Sequence, residues 1–292
     1  MPGAYLAPVL IAQISDPHVA RSGGGFDRLF RTSDHLERAV AHLNALSSRP
    51  DVALLTGDIV DGGSIEEYER ARAILDRLAM PLYVIPGNHD DRANLACVFD
   101  DHRYLAGGGE FLQYTIDEWP VRLVALDTMI PGAAGGHLCA ARLAWLDARL
   151  AEAPDRPTLI LMHHPPFVTG LAVMDTMGLD GSAALAEVVR RHPQVERIAC
   201  GHVHRPMVRR FAGTVACTCP STAHQVALDL PPETRLAVVM EPPACLLHLW
   251  LDGGAGFVSH VSVIGGERPP MTVFDGRQWL KKIQPPDGFH RD

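Results

Sequence analysis

The chain has 292 residues and a formal net charge of −8, with 26 Lys and Arg residues against 34 Asp and Glu residues. Hydrophobic residues make up 47% and charged residues 21%, a composition typical of globular proteins that excludes disordered and fibrous classes. The acidic charge also argues against a protein that binds nucleic-acid polymers or anionic membranes, because such proteins need a basic face.

Short apolar runs alternate with helical patterns along most of the chain, and this alternation predicts an α/β fold with much parallel strand pairing. The later, β-rich portion indicates a second sheet and favours a β-sandwich with outer helices. In chain order we predict a strand at residues 9–14, a helix at 33–46, a strand at 53–55, a helix opened by the capping-box pair Ser64 and Glu67 and running to 78, a strand at 82–85, an antiparallel strand pair at 111–116 and 121–126, a helix at 138–150, a strand at 158–162, a helix at 183–191, a strand at 195–200, and a β-hairpin at 246–251 and 257–263.

The six Cys residues are scattered, and the closest pair is the C-x-C of Cys217 and Cys219. This spacing argues against a zinc ribbon, and a chain of this length needs no disulfide framework. The N-terminal stretch lacks the basic region of a signal peptide, and no apolar run approaches the roughly 20 residues of a membrane helix. We therefore expect a cytoplasmic protein with reduced thiols and no membrane partner.

Asp, Asn and His side chains follow five of the predicted strands, at the points where those strands end. In α/β sheets, ligands bind just past the carboxyl ends of strands. Each of these motifs alone is also typical of a turn or a helix cap, but together they form the strongest functional signal in a chain with 15 His residues. The motifs are Asp16-Pro-His18, Gly57-Asp58, Gly87-Asn88-His89-Asp90, His163-His164-Pro165-Pro166 and Gly201-His202-Val203-His204.

Carboxylate oxygens and imidazole nitrogens together suit first-row divalent metals such as Mn, Fe, Co and Zn. Two ions roughly 3.5–4 Å apart stabilise the attacking and leaving oxygens of a phosphoryl displacement. We expect Gly57, Gly87 and Gly201 to let the backbone turn sharply beside the ions. The ligands are too many for one ion and suit two ions bridged by a carboxylate: Asp16, His18, Asp58, Asn88, His163, His202 and His204.

The motifs DPH, GDIVDGG, GNHDD, HHPP and GHVH resemble those of the calcineurin-like metallophosphoesterases over about residues 9–206. The resemblance implies a four-layer αββα sandwich of two mixed β-sheets flanked by helices, with a C-terminal β-hairpin. It implies one metal held by Asp16, His18, Asp58 and His204, and a second held by Asp58, Asn88, His163 and His202, with Asp58 bridging. The catalytic residues would be Asp58, Asn88 and His89, with His89 beside the scissile phosphate as charge stabiliser or proton donor.

Within this family the chain is most similar to bacterial class III cyclic-nucleotide phosphodiesterases and the related glycerophosphodiesterases. The runs PLYVIPGNHDD and MHHPP, and the later run from Pro220 to Val226, carry that likeness. It implies that Asn88, His89 and His224 contact a small anionic phosphodiester, which a metal-bridged hydroxide attacks. It also implies a homo-oligomer, with one catalytic domain over residues 1–265, a cap and oligomerisation insert at about 205–245, and a surface tail at 266–292.

One departure from the wider superfamily bears on the substrate. Protein Ser/Thr phosphatases of the superfamily carry an Arg in the block that here reads GDIVDGG and contains none, and a phosphomonoester dianion gains from such a bidentate contact. A diester has a single negative charge and needs less, so the absence favours diesters. Arg21, Arg28 and Arg31 are expected near the first metal loop and are candidates to line a pocket.

Three alternatives remain open at this stage. The same chemistry would also serve a phosphomonoesterase, a phosphonate-ester hydrolase or a nuclease. A non-catalytic scaffold is disfavoured because all seven ligand residues are present. Among metals, Mn or Fe is favoured over Zn or Co, although the ligand types alone do not separate them.

Overall fold

A computed structural model describes residues 8–107, 109–231, 235–251, 256–265, 272–274 and 277–279. Its helices are α1 (Gly25–Phe30), α2 (Thr32–Ala45), α3 (Ile65–Leu75), α4 (Arg92–Val98), α5 (Ala140–Ala151), α6 (Ala172–Asp175) and α7 (Ser182–Arg191), with a 3₁₀ turn at Arg103–Gly107. Its strands are β1 (Val9–Ile14), β2 (Val52–Thr56), β3 (Leu82–Ile85), β4 (Tyr114–Ile116), β5 (Arg122–Leu126), β6 (Gly136–His137), β7 (Thr158–Met162), β8 (Leu179–Asp180), β9 (Val195–Cys200), β10 (Met207–Phe211), β11 (Thr214–Thr218), β12 (Gln225–Val226), β13 (Val238–Val239), β14 (Ala244–Leu251) and β15 (Gly256–Val263).

Two mixed sheets contain most of these strands. The first has the order β15-β14-β1-β2-β3 and the second the order β10-β11-β9-β7-β5-β4. The strands β1, β2 and β3 run parallel to one another, as do β5, β7, β9 and β11. The carboxyl ends of neighbouring parallel strands therefore meet at one edge of each sheet.

The sheets stack face to face, and helices cover their outer faces. Along β5 and β7, Leu123 and Leu159 face the core shared with the first sheet, whereas Val124 and Ile160 face the core beneath α5 and α7. This alternation follows the two-residue period of a strand. On the opposite side, α2 and α3 pack against the first sheet through side chains such as Leu36. The four-layer αββα arrangement predicted from the sequence is confirmed.

The predicted regular elements agree closely with the structure. The strands β1, β3, β7 and β9 coincide with their predictions, and the hairpin of β14 and β15 is antiparallel as expected. The helix predicted to run to residue 78 ends at Leu75, after which Leu78 N donates to the Leu75 carbonyl in a turn. The pair expected at 111–116 and 121–126 is antiparallel, but its first strand begins only at Tyr114.

The stretch at 205–245 contains more regular structure than the sequence indicates. Its first part forms β10 and β11, which extend the second sheet beside β9. The short pair β12 and β13 lies outside the two large sheets. The turn expected at 252–255 and most of the predicted tail lie outside the described residues. Among the helices that the structure describes, none is both long and apolar enough to cross a bilayer.

Candidate metal centre

Seven side chains converge where the carboxyl ends of the two sheets meet. The first sheet supplies Asp16 and His18 after β1, Asp58 after β2 and Asn88 after β3. The second sheet supplies His163 after β7, and His202 and His204 after β9. The structure thus brings together every residue that the sequence proposes as a metal ligand.

The backbone is strained at most of these positions. Left-handed φ values are costly for residues with a Cβ, by roughly 1–2 kcal/mol each, and such strain clusters at functional sites. Outside the glycines, the described residues with positive φ number seven, and five of them are in the converging set: Asp16 (52°), His18 (45°), Asp58 (49°), His202 (71°) and His204 (49°).

Three glycines allow the loops to approach one another, for two different reasons. Gly57 has φ +90° and provides the sharp turn that the sequence predicts. The chain also turns at Gly87 and Gly201, where Asp90 N donates to Gly87 O (3.3 Å) and Val203 N donates to Gly201 O (2.9 Å), but neither glycine has a positive φ. Their requirement is space, because a Cβ on Gly87 would lie 2.2 Å from Asp58 Oδ1 and one on Gly201 would lie 2.2 Å from Ser15 Oγ.

A first group of donor atoms comes from Asp16, His18, Asp58 and His204, and these atoms lie within 4.8 Å of one another. The Nε2 atoms of His18 and His204 are 3.1 Å apart. Asp58 Oδ2 lies 3.5 Å from His18 Nε2, and Asp16 Oδ1 lies 3.5 Å from His204 Nε2. This is a compact oxygen and nitrogen set of the kind that binds a first-row divalent ion.

A second group adjoins the first and shares one atom with it. Asn88 Oδ1 lies 3.1 Å from His163 Nε2 and 3.0 Å from His202 Nδ1. His163 Nε2 is also 3.4 Å from Asp58 Oδ2, the oxygen that faces His18 in the first group. Asp58 Oδ2 therefore lies between the two donor groups, within 3.5 Å of a histidine nitrogen of each.

Main-chain carbonyls determine which imidazole nitrogens carry protons. A carbonyl oxygen only accepts, so a ring nitrogen beside it must be the N–H, and the other nitrogen then presents a lone pair. These lone pairs face one another and the carboxylates. Such an arrangement is repulsive unless a cation lies between the donor atoms, so the residues present fit a metal. The contacts that set the tautomers are His163 Nδ1 to Thr56 O (2.8 Å), His202 Nε2 to Met177 O (3.1 Å) and His204 Nδ1 to His224 O (2.9 Å).

Burial and charge support this donor set. Burial lowers the pKa of His202 well below its usual value and that of His204 to about 4, so both imidazoles are neutral. Burial also disfavours the charged form of His163, but the Asp58 and Asp16 carboxylates and the Thr56 carbonyl together outweigh it and raise the pKa to about 9. Burial likewise opposes ionisation of Asp58, yet its contacts with His163 and His18 hold its pKa well below normal. A cation would compete with the proton on His163.

His89 lies at the open side of the site. Its backbone N–H donates to Asp58 Oδ1 (2.9 Å), and its Nδ1 lies 2.8 Å from the Asp61 carbonyl. The Asp61 carboxylate is 3.5 Å from His18 Nδ1 and 3.7 Å from His89 Nδ1. Asp61 is a residue that the sequence reasoning missed, although it is the second Asp of the GDIVDGG motif.

A cavity of about 180 Å³ opens over the donor groups. Phe26, Met174, Leu236 and Val238 form apolar walls, and His89 and His224 line it as well. Arg21, Arg28 and Arg31, the candidates to line a pocket, are not among the described residues that line this cavity. Arg28 donates to the Gly23 carbonyl, and Arg31 pairs with Asp34 on the surface.

Two further histidines differ in their surroundings. His224 packs against Phe26, Phe30 and His18, and burial together with nearby histidines lowers its pKa to about 3. His164 has both ring nitrogens engaged, Nδ1 with Thr128 Oγ1 (2.9 Å) and Nε2 with the Ala134 carbonyl (3.1 Å). His224 therefore faces the cavity, whereas His164 supports the loop behind it.

An αββα sandwich with two His, Asp and Asn donor groups that share a carboxylate at the strand ends has the architecture of a metallophosphoesterase. The sequence model of the calcineurin-like phosphoesterases matches residues 9–206. The chain belongs to this family, which uses a dinuclear divalent-metal site, and the clustered His and Asp side chains fit such a site.

Similar proteins extend the match over most of the chain. A probable glycerophosphodiester phosphodiesterase of Arcobacter nitrofigilis is 35% identical over 91% of this chain and 97% of its own length. A 3′,5′-cyclic adenosine monophosphate phosphodiesterase of Pseudomonas aeruginosa is 32% identical over 76% and 79%. The crystal structure of a dimetal phosphatase from Danio rerio has a TM-score of 0.60 at 18% identity, covering 88% of this chain and 99% of its own, and shows the shared fold.

Proposed function

We propose that the protein is a dinuclear metal-dependent phosphodiesterase that hydrolyses small phosphodiesters. The observation that carries this proposal is the pair of donor groups that share Asp58 Oδ2, 3.5 Å from His18 Nε2 and 3.4 Å from His163 Nε2. Two divalent ions, when bound, supply Lewis-acid stabilisation of an in-line displacement at phosphorus and make water a competent nucleophile at neutral pH.

The side chains of the site position and stabilise the reacting groups. Asp16, His18, Asp58 and His204 would hold one ion, and Asp58, Asn88, His163 and His202 the other. Because its Nδ1–H donates to the Asp61 carbonyl, His89 presents Nε2 to the cavity. There, when Nε2 is protonated, it is placed to donate to phosphate oxygens or to give a proton to the departing alkoxide.

The cavity supports a small substrate with an apolar portion. Its polar floor suits the phosphate, and Phe26, Leu236 and Val238 offer apolar contact to an organic substituent. His224 is neutral and is placed to exchange a hydrogen bond with that substituent. Among the described residues that line the cavity, none is Lys or Arg, which favours a monoanionic diester over a phosphomonoester dianion.

The similar proteins suggest which small diesters to test. Their names specify glycerophosphodiesters in some cases and cyclic nucleotides in others. A panel of 3′,5′- and 2′,3′-cyclic nucleotides, glycerophosphocholine and bis(p-nitrophenyl) phosphate would distinguish these classes. Strong preference for p-nitrophenyl phosphate would instead favour a phosphomonoesterase.

The Asp58→Ala variant tests the proposed chemistry directly. Because Asp58 belongs to both donor groups, we expect its loss to remove most hydrolysis of bis(p-nitrophenyl) phosphate, as Asn88→Ala should also do. Undiminished hydrolysis by chelated, metal-free wild-type protein would refute the proposal.

For the native metals we propose Mn or Fe. The donor set consists of carboxylate, amide and imidazole groups without thiolate, which suits Mn and Fe, and reconstitution must separate them from Zn and Co because the ligand types alone do not. Elemental analysis of protein purified without added metal, followed by reconstitution with Mn²⁺, Fe²⁺, Zn²⁺ or Co²⁺, would identify the ions that restore activity.

We also propose that the protein forms homo-oligomers through part of the insert at about 205–245. Between β12 and β14 a row of large apolar side chains is exposed, including Leu228 (62%), Leu230 (59%) and Met240 (51%). Exposed apolar patches mark interaction sites. Leu230→Lys with Met240→Lys should reduce the mass measured by light scattering, whereas the control Ile65→Lys, on α3, should not. A wild-type monomer would refute this.

Two further proposals concern organisation and compartment. We treat residues 1–265 as one catalytic domain and 266–292 as a surface tail, so truncation after residue 265 should preserve activity.

All six cysteines are unpaired, which supports a reducing compartment, the cytoplasm. Fractionation of cells that express the tagged protein would test the compartment.

A further inference from the structure

The proposed metal centre lies at the junction of the two sheets. Asp16, His18, Asp58 and Asn88 follow strands of the first sheet, whereas the remaining three ligands follow strands of the second. Each ion would therefore have ligands from both sheets. The geometry of the centre depends on how the sheets are placed relative to each other, and a contact that fixes this placement would control metal binding.

Gln13 makes such a contact. It lies in β1 of the first sheet and is fully buried. Its Nε2 donates to Cys200 O in β9 of the second sheet (2.9 Å) and to Thr56 Oγ1 in β2 (2.9 Å). Its Oε1 lies 3.0 Å from His248 Nε2 in β14. One amide group thus joins three strands of one sheet to a strand of the other.

The partners of Gln13 lead directly to ligand loops. Thr56 Oγ1 donates to Ser15 Oγ (2.8 Å), the residue before the ligand Asp16, and the Thr56 carbonyl accepts from His163 Nδ1 (2.8 Å). Cys200 lies two residues before His202. A single hydrogen-bonded neighbour, Thr56 or Cys200, therefore connects the Gln13 amide to the ligand loops of each sheet.

Every polar atom of the Gln13 amide has at least one hydrogen-bond partner. Both N–H groups have acceptors, and the oxygen has a donor because His248 Nε2 faces it while His248 Nδ1 lies 2.7 Å from Ser259 Oγ. Val9 and Ile11, which share the same face of β1, are apolar. A polar side chain in this row incurs a desolvation cost, so an apolar residue would serve if packing were the only requirement.

We propose that Gln13 is a positioning residue that fixes the separation and register of the two sheets for the binding of both metal ions. The inference rests on the proposed dinuclear centre and adds a role for a residue that touches neither the ions nor the substrate. Gln13 acts through Thr56, Ser15 and the Cys200 carbonyl. Residues that orient metal ligands typically change metal affinity by about 10–100-fold when they are replaced.

The test compares Gln13→Met with Gln194→Met. Gln194 is also a buried Gln with one side-chain hydrogen bond, to the Leu150 carbonyl (2.9 Å), but it precedes β9 at the end distant from the ligands. Dissociation constants for Mn²⁺ and Co²⁺ are measured by competition with a chelator, together with the Co²⁺ absorption spectrum and the melting temperature of each metal-free protein. We expect Gln13→Met to weaken binding of both ions by about 10–100-fold and to change the Co²⁺ spectrum. Gln194→Met should retain the wild-type constants and spectrum.

Three results would overturn the proposal. One is wild-type metal affinity in folded Gln13→Met. Another is an equal loss in Gln194→Met, which would show that affinity follows general stability. If Gln13→Met does not fold, Gln13→Asn provides the test, because its shorter side chain keeps the amide but cannot reach Cys200. Wild-type metal affinity in Gln13→Asn would be the third result against the proposal. Failure of the wild-type protein to bind two ions would instead refute the dinuclear centre itself, so the two failures are distinguishable.

Discussion

His89 differs from the ligand histidines in its exposure and in its partners. Its side chain is 40% exposed, whereas that of His18 is 5% exposed and that of His163 is fully buried. The ligand imidazoles present lone pairs to the shared donor groups, but His89 presents Nε2 to the cavity. In the proposed reaction a single exposed imidazole at the cavity would have two chemical roles open to it, charge stabilisation and proton donation, and substrates with different leaving groups distinguish these roles.

His89→Ala should reduce kcat most for substrates whose leaving group must be protonated. An alkoxide leaving group requires protonation, so we expect kcat for an alkyl diester such as glycerophosphocholine to fall by about 10²–10⁴-fold. A p-nitrophenolate leaves without a proton, and its kcat should fall much less. Equal losses for both substrates would show that His89 only stabilises phosphate oxygens. His137→Ala, at an exposed histidine paired with Asp180, serves as the control.

At the scale of elements, the site depends on how closely the loops after β2, β3 and β7 approach one another. A Cβ on Gly87 would lie 2.2 Å from Asp58 Oδ1, 2.4 Å from Asp58 N and 2.8 Å from His163 Cε1. A backbone atom and two ligand side chains would have to move. These loops have no spare room for even one methyl group.

Gly87→Ala should therefore abolish most activity while leaving the fold intact. Overpacking of this kind costs about 1–3 kcal/mol, which a protein of this size tolerates, but the displaced ligands should bind metal poorly. The control is Gly25→Ala, because a Cβ there meets no atom within 4 Å and its φ is not positive. Metal content and turnover of both variants provide the measurement. Wild-type metal content in Gly87→Ala would contradict the prediction.

The elements differ in how well the sequence predicts them. Buried parallel strands such as β7 are continuous apolar runs, and this made them recognisable. The helix α4 buries only Leu95, so it shows no helical period, and β10 carries Arg209 and Arg210 side by side without alternation. The strand-end motifs located the site, but the carbonyls of Thr56 and Met177 that orient its imidazoles were not predictable. Every residue has a carbonyl, so its role depends on the three-dimensional fold alone.

At the scale of the whole molecule, buried neutral histidines make stability depend on pH. An unfolded histidine has a pKa near 6.5, whereas burial lowers the pKa of His248 to about 3. Between these values the unfolded chain binds a proton that the folded protein does not. Protonation of His248 therefore stabilises the unfolded state as pH falls. The free energy of unfolding decreases between pH 6.5 and about pH 3.

His248→Gln should reduce this pH dependence. From pH 6.5 to 5, the contribution of His248 to the free energy of unfolding falls by about 1.6 kcal/mol, because the slope approaches about 1.36 kcal/mol per pH unit only once the unfolded histidine is mostly protonated. Urea unfolding at both pH values, at one fixed metal concentration, should show a smaller loss in the variant by that amount. Parallel pH profiles for variant and wild type would contradict the prediction.

The sequence separation of the ligands has a consequence for synthesis of the protein. His18 and His204, whose Nε2 atoms are 3.1 Å apart, are 186 residues apart in the chain. At ~5–20 residues per second, the ribosome completes this interval in on the order of 10–40 s. The first ligands thus leave the ribosome long before the last are made. Because the proposed centre needs side chains from both ends of this interval, loading of both ions would have to await synthesis of the chain past His204.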